Sequence, residues 1–155
     1  MAREYPDRPV VGVGGVVIEN ERALLIKRGS EPLLGQWSIP GGTLELGESL
    51  QEGVARELLE ETGLDVLVLD MIEAFDRIFL DPAAPDGGDK SRPKYHYVIV
   101  DYLCERRAGE AQVGSDVTDI AYAAEEELAA FNMTTTVTRV LHRAFAMDRE
   151  RRKPR

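Results

Sequence analysis

The chain has 155 residues, of which 43% are apolar and 30% are charged, and its formal net charge is −9. This composition argues against a disordered chain and is typical of a soluble domain, and we expect one domain over residues 1–155. The acidic balance disfavours a nucleic-acid partner, because nucleic-acid-binding surfaces are basic. No apolar run approaches the roughly 20 residues of a membrane span. Residues 1–9 lack the apolar stretch of a secretion signal, so we expect no membrane association and a cytoplasmic location.

The hydrophobic pattern predicts an alternation of strands and helices. Residues 10–18 and 22–27 are the expected arms of a β-hairpin around a turn at 19–21. The strand expected at 94–104 is apolar on both faces from Val98 to Val100, which predicts a central strand covered on both sides. The other predicted elements are an extended segment at 37–40, a helix at 49–62, strands at 64–75 and 119–123, and helices at 124–130 and 134–147.

Three segments are expected to lie outside this framework. Residues 1–8 and 148–155 are predicted to be loose tails. The segment from Leu80 to Pro93 holds three prolines and two glycines, which predicts a long loop. Such a loop is either a lid over a substrate or a disordered connection, and the sequence favours neither.

The helix at 49–62 has clear start and stop signals. Ser49 and Glu52 have the spacing of a capping box, and Gly63 suits the left-handed position after the last turn. Leu50, Val54 and Leu58 are spaced by four and mark the buried face of the helix.

The same helix carries a dense group of carboxylates. Glu57, Glu60 and Glu61 lie on neighbouring positions of one side, where like charges repel one another. A bound divalent cation would remove that cost, and oxygen ligands favour Mg²⁺, with Mn²⁺ as an alternative. Arg56 is placed to fix a carboxylate through a bidentate pair, and Glu48 to reach the same group. The competing interpretation is a solvated acidic helix face.

The spacing decides between these interpretations. Gly42 is followed by five residues, Glu48, seven residues and then Arg56-Glu57-Leu58-Leu59-Glu60-Glu61-Thr62-Gly63-Leu64. This stretch matches GX5EX7REUXEEXGU, where U is apolar, at every specified position. The chain therefore resembles the Nudix (MutT-like) hydrolase family. The resemblance implies an α/β fold, in which a mixed β-sheet lies between helices as an α/β/α sandwich.

The resemblance also implies roles for the residues of the motif. Glu57, Glu60 and Glu61 would bind metal and activate water, and Arg56 and Glu48 would orient them. Gly42, or its neighbour Gly41, would lend a carbonyl to a metal and let a phosphate come close. The base varies within the family, and some members use an acid on a later loop. Here the candidates are Asp116, which we favour, and Asp119, Glu126 and Glu127, each of which is otherwise a surface acid or helix cap.

Residues outside the motif are candidates for holding the substrate. Arg28 ends a strand near the expected cleft, and Phe75 and Arg77 flank the long loop. Tyr97 leads into the central strand, where its ring would stack on a base. The competing interpretation of each is a surface charge or ordinary core packing.

The implied reaction is hydrolysis of a nucleoside diphosphate linked to another group, by attack of water on phosphorus. ADP-ribose or a nucleotide sugar is our first expectation for the substrate, and a (d)NTP is the alternative. A nucleotide-binding regulatory module without catalysis is the competing function of another class. A homodimer is possible, because dimers are common in the family.

Overall fold

The computed structural model describes residues 3–81 and 92–154. Seven strands are found in these ranges, together with two α-helices and one 3-10 helix. In chain order they are β1 (Val10–Glu19), β2 (Arg22–Arg28), β3 (Trp37–Ser38), β4 (Gly41–Thr43), α1 (Leu50–Thr62), β5 (Asp65–Leu80), β6 (Pro93–Ala108), β7 (Val117–Ala124), the 3-10 helix (Glu125–Phe131) and α2 (Thr135–Arg152).

The strands form a mixed sheet in the order β3-β2-β1-β6-β5, with β4 paired to β1 and β7 paired to β2. β1 and β2 pair antiparallel as the predicted hairpin. β1 also runs parallel to β6, with Gly12 opposite Ile99 and Gly14 opposite Asp101. β5 and β6 pair antiparallel along most of their length. Strands that are distant in the chain therefore meet at the centre of the sheet.

The two helices cover opposite faces of this sheet. Val137, Leu141 and Phe145 of α2 belong to one buried cluster, together with Val16 and Leu103 of the sheet. A second buried cluster joins α1 to the other face and contains Val13, Val17, Val54, Leu58 and Val100. The structure is thus the α/β/α sandwich with a mixed sheet that the motif implied. No helix within the described ranges is long and apolar enough to cross a membrane.

Local hydrogen bonds set the ends of α1. The Ser49 hydroxyl accepts from the Glu52 N–H at 3.1 Å, and the Glu52 carboxylate accepts from the Ser49 N–H at 3.1 Å. At the other end, Gly63 adopts φ +75° and its N–H donates to the Leu59 carbonyl. These contacts confirm the predicted helix bounds, and they fix which side of α1 faces the sheet.

Other expectations need correction. α2 continues to Arg152, and Asp148 is buried and paired with Arg152 at 2.8 Å, so residues 148–152 are not a loose tail. The lead-in is held in place too, because the Tyr5 N–H donates to the Lys94 carbonyl at 2.8 Å.

The strands around the predicted long loop also differ from expectation. On β6 the stretch buried on both faces runs from Val100 to Cys104, whereas Val98 is 37% exposed. β5 extends to Leu80 and β6 begins at Pro93, so the ends of the predicted loop belong to strands. The question of a lid concerns residues 82–91, which lie outside the described residues.

Candidate functional site

A cavity of about 340 Å³ lies between the motif helix α1 and the strands β1, β5 and β6. Its lining residues come from many separate stretches of the chain, and the predicted site residues among them come from six. The predicted site residues that line it are Arg28, Gly41, Gly42, Arg56, Glu57, Glu60, Glu61, Arg77, Tyr97 and Asp116. Glu48 is joined to this group through Arg56.

Arg56 is the centre of the hydrogen-bond network on α1. Its Nε donates to Glu48 Oε2 at 2.6 Å and its Nη2 to Glu48 Oε1 at 2.9 Å, so the bidentate pair expected of Arg56 is present. Nη1 donates to Glu57 Oε1 at 2.9 Å and to Glu60 Oε2 at 3.3 Å. Nη2 also donates to the Thr43 carbonyl at 3.0 Å, which ties α1 to β4. One guanidinium therefore orients three carboxylates at once.

Glu61 is the most deeply buried carboxylate of the motif, with 7% of its surface exposed. Its Oε1 accepts from the Gly41 N–H at 2.7 Å. Burial raises the pKa of Glu61 to about 8, and the negative charges of Glu57 and Asp116 add to this effect. Burial also raises the pKa of Glu57, although the Arg56 guanidinium opposes the shift. The cavity thus holds two carboxylates whose pKa is raised by burial, of which Glu57 has an ion pair with Arg56 and Glu61 has none among the described residues.

The two glycines before the loop are required by close packing. A Cβ on Gly42 would overlap the Glu57 carboxylate, and a Cβ on Gly41 would overlap the Val13 carbonyl of β1. Without side chains, these two residues pair with β1 and bring the backbone to the edge of the cavity. Both glycines therefore line the cavity with their backbone.

No group of three acidic, histidine or cysteine side chains in residues 3–81 and 92–154 is gathered as a ready metal site. The reason is that Arg56 draws Glu57 and Glu60 toward its guanidinium, while Gly41 holds one oxygen of Glu61. Glu60 lies at the rim, with 48% of its side chain exposed. The residues nevertheless fit a hard divalent cation, because the donors are oxygens and the buried carboxylates of Glu57 and Glu61 need positive charge.

Two arginines face the same cavity from the strands. Arg28 Nε donates to the Pro32 carbonyl at 2.6 Å, and the Arg77 guanidinium carbon lies 5.9 Å from the centre of the Phe75 ring. Within the described ranges, neither guanidinium has a carboxylate oxygen inside 4.0 Å. Two partly buried cations without an ion-pair partner indicate a place for an anionic group.

The remaining predicted residues divide between the cavity and its surroundings. Tyr97 lines the cavity, but Phe75 packs against the buried cluster under α2 and does not. Asp116 lines the cavity from a loop in which it adopts φ +59°. Its three competitors do not line the cavity: Asp119 bonds to the following N–H, Glu127 caps the 3-10 helix, and Glu126 is exposed.

Asp101 is the residue of this cavity that sequence reasoning missed. It is 4% exposed, lines the cavity and makes no hydrogen bond or ion pair within the described residues. Burial raises its pKa to about 7. An acid inside the apolar run of β6 was the available signal, because charged residues are almost never buried without a partner.

Solved Nudix hydrolases share this fold. A MutT Nudix hydrolase from Burkholderia pseudomallei superposes with a TM-score of 0.72 at 29% identity, covering 88% of this chain and 98% of that one. The Nudix domain of Shewanella oneidensis NrtR, solved with ADP ribose, superposes with a TM-score of 0.69 at 20% identity and covers 96% and 91%. The NUDIX domain family model matches residues 8–145. The chain belongs to the Nudix family.

Curated relatives have several activities. An ADP-ribose pyrophosphatase of Methanocaldococcus jannaschii is 31% identical over 114 residues, which are 74% of this chain and 61% of the relative. A putative ADP-ribose pyrophosphatase of Bacillus subtilis, YjhB, is 29% identical over 126 residues, covering 80% and 54%. The nucleoside triphosphatase NudI of Escherichia coli is 27% identical over 130 residues, covering 81% and 89%. The chain thus spans little more than half the length of the first two relatives.

Proposed function

We propose that this protein is a divalent-metal-dependent pyrophosphohydrolase that cleaves a nucleoside diphosphate linked to another group. The observation that carries this proposal is a cavity lined both by the motif carboxylates that Arg56 orients and by the guanidiniums of Arg28 and Arg77. Among the described residues, no carboxylate oxygen lies within 4.0 Å of either guanidinium. A pyrophosphate needs positive charge around its oxygens and a carboxylate near the attacking water.

Members of the family generally need a divalent metal, commonly Mg²⁺. Glu57 and Glu61, with Glu60 and the Gly42 carbonyl beside them, are the residues that would hold it. The metal supplies positive charge next to the phosphate oxygens on which negative charge develops.

The chain's own residues perform the remaining tasks. Arg28 and Arg77 bind the phosphate oxygens by charge-assisted hydrogen bonds. Arg56 holds Glu57 and Glu48 in place, so that the carboxylates do not have to reorganise during the reaction. Glu61 Oε1 is fixed by the Gly41 N–H, and this leaves Oε2 to accept a proton from water. Asp116 is the alternative base, because it lines the same cavity.

We infer that ADP-ribose or another nucleotide sugar is the first substrate to test, and the relative from Methanocaldococcus jannaschii supports this choice. A (d)NTP is the second candidate, since the triphosphatase NudI aligns over 89% of its own length. Both candidates carry the phosphoric anhydride bond that the cavity suits.

The test is a panel of nucleotide sugars and (d)NTPs, offered with Mg²⁺ or Mn²⁺, with the products separated by ion-exchange chromatography. We expect turnover of at least one compound, its loss with EDTA, and a large fall in Glu57→Gln and Glu61→Gln. Comparing Glu61→Gln with Asp116→Asn then assigns the base. Asp76→Asn, an exposed change outside the cavity, is the control. No turnover of any compound, or full activity in both glutamine variants, contradicts the proposal. Nucleotide binding without turnover would instead indicate the regulatory module.

A further inference from the structure

Asp101 is an unusual residue for the floor of a cavity. Its carboxylate is almost wholly buried, yet no described donor lies within hydrogen-bond distance of it. Gly14, opposite Asp101 on β1, is required for this placement, because a Cβ there would overlap the Asp101 carboxylate. The fold therefore leaves the Asp101 carboxylate without a described donor, while its oxygens stay open to the cavity.

A bound molecule that donates a hydrogen bond to this carboxylate gains free energy, because no described residue supplies a donor. An ionised carboxylate only accepts hydrogen bonds, so its partner must offer N–H or O–H groups. The positive charge of Arg77 lowers the pKa of Asp101, but its guanidinium stays outside ion-pair distance. The missing donor is thus expected from a bound molecule.

The surroundings of Asp101 indicate which part of a nucleotide lies there. Ile39 lies near Asp101, because a Cβ on Gly14 would meet both side chains, and Ile99 lies beside Gly12 on the same stretch of β1. Both isoleucines line the cavity, whose other lining residues are mostly polar or charged. Asp101 belongs to β6, whereas the motif carboxylates belong to α1. Two isoleucines beside one acceptor suit a flat ring that carries a polar substituent. A sugar, with hydroxyls on all sides, would leave these apolar residues against polar groups.

We propose that Asp101 is a specificity-determining residue that accepts a hydrogen bond from the exocyclic amino group of the substrate's nucleobase. The inference rests on the proposed function, since that base belongs to the nucleotide whose anhydride bond is cleaved. Adenine, guanine and cytosine carry such a group, and hypoxanthine and uracil do not. The residue discriminates among bases and takes no part in the chemistry at phosphorus.

The experiment compares pairs of substrates of which only one member carries the amino group, which is replaced by a carbonyl in the first pair and absent in the second. These are ADP-ribose against inosine diphosphate ribose, and GTP against ITP, each with Mg²⁺. Loss of a hydrogen bond to a charged group changes kcat/KM by about 10- to 100-fold. We expect the wild-type protein to prefer the amino member of at least one pair by this factor. In Asp101→Leu, the ratio of kcat/KM between the two members of a pair is expected to fall to near one, mainly because the substrate with the amino group is hydrolysed more slowly. Asp101→Ala serves as a second variant, and the exposed Asp76→Asn is the control for net charge.

Three results would overturn the proposal. The first is an equal loss on both members of a pair, since a merely structural role affects both alike. The second is no effect of Asp101 on the preference of an active protein. The third is a preference that follows the ribose hydroxyl, measured with 2′-deoxy substrates, because the donor would then be an O–H of the sugar.

A binding measurement separates this inference from the proposed function. Calorimetry with AMP, GMP and IMP requires no hydrolysis. The protein could hydrolyse none of the panel and still bind AMP or GMP at least 10-fold more tightly than IMP. If Asp101→Leu then removes this difference in affinity, the inference stands while the proposed function fails. If the protein hydrolyses the panel and neither readout depends on Asp101, the inference alone fails.

Discussion

Replacing Asp101 by asparagine tests whether this buried carboxylate limits the stability of the protein. The folded-state pKa of about 7 exceeds the ordinary value of 3.8 by about 3. One pKa unit corresponds to about 1.4 kcal/mol, so ionising Asp101 inside the fold costs about 4 kcal/mol. Because the folded state binds the proton more tightly, the stabilising effect of protonation is complete below pH 4. It is lost as the pH rises through 7.

Urea unfolding of both proteins from pH 4.5 to 8.5 measures this effect. Asparagine keeps the shape of the side chain but does not titrate, so its own cost is a constant offset. We expect the free energy of unfolding of the wild type, relative to Asp101→Asn, to fall by about 3 kcal/mol over this range. Glu61, whose pKa burial raises to about 8, contributes equally to both proteins and cancels in the difference. Parallel curves would refute the reasoning, and Asp76→Asn controls for the change in net charge.

Three further predictions concern α1 and its loop. Arg56→Lys keeps the positive charge but cannot make the bidentate pair with Glu48. Activity is therefore expected to fall by about 10- to 100-fold with an unchanged thermal unfolding temperature. Full activity of this variant would contradict the orienting role of Arg56. Gly42→Ala places a Cβ on the Glu57 carboxylate and displaces it, so we expect a similar loss of activity. The stability cost, measured by urea unfolding, is expected to be small because the displaced group is the end of a flexible side chain, and wild-type turnover would show that the glycine is dispensable. Leu58→Ala empties a fully buried position and is expected to destabilise the fold by about 2–5 kcal/mol, whereas Leu59→Ala, at a position 56% exposed, is the control and is expected to cost far less.

The Arg56 network shows how much of the site local sequence reveals. Arg56, Glu57, Glu60 and Glu61 lie within two turns of one helix, so helical periodicity alone places them side by side. The bidentate partner Glu48 lies just before that helix and is held by the same short loop. Contacts of this kind depend on few residues, and they could be predicted without knowing the rest of the fold.

Phe75 shows where such reasoning stops. It lies two residues before Arg77 on β5, and sequence reasoning treated the two as equal candidates. The sheet places Arg77 in the cavity, whereas Phe75 packs against the cluster under α2. The choice depends on how β5 pairs with β6 and where α2 covers the sheet, and no local pattern records those distant contacts.

Asp101 shows the same limit for a residue that sequence reasoning missed. Its position in an apolar strand is a local signal of burial that was not used, and its role depends on Gly14, which lies 87 positions earlier and becomes its neighbour only through the parallel pairing of β1 and β6. The sequence by itself determined the family motif, the bounds of α1 and the carboxylates beside Arg56, because these rest on short-range geometry. Only the tertiary structure decided which strand residues complete the cavity, because long-range register brings Arg28, Arg77, Asp101 and Asp116 together.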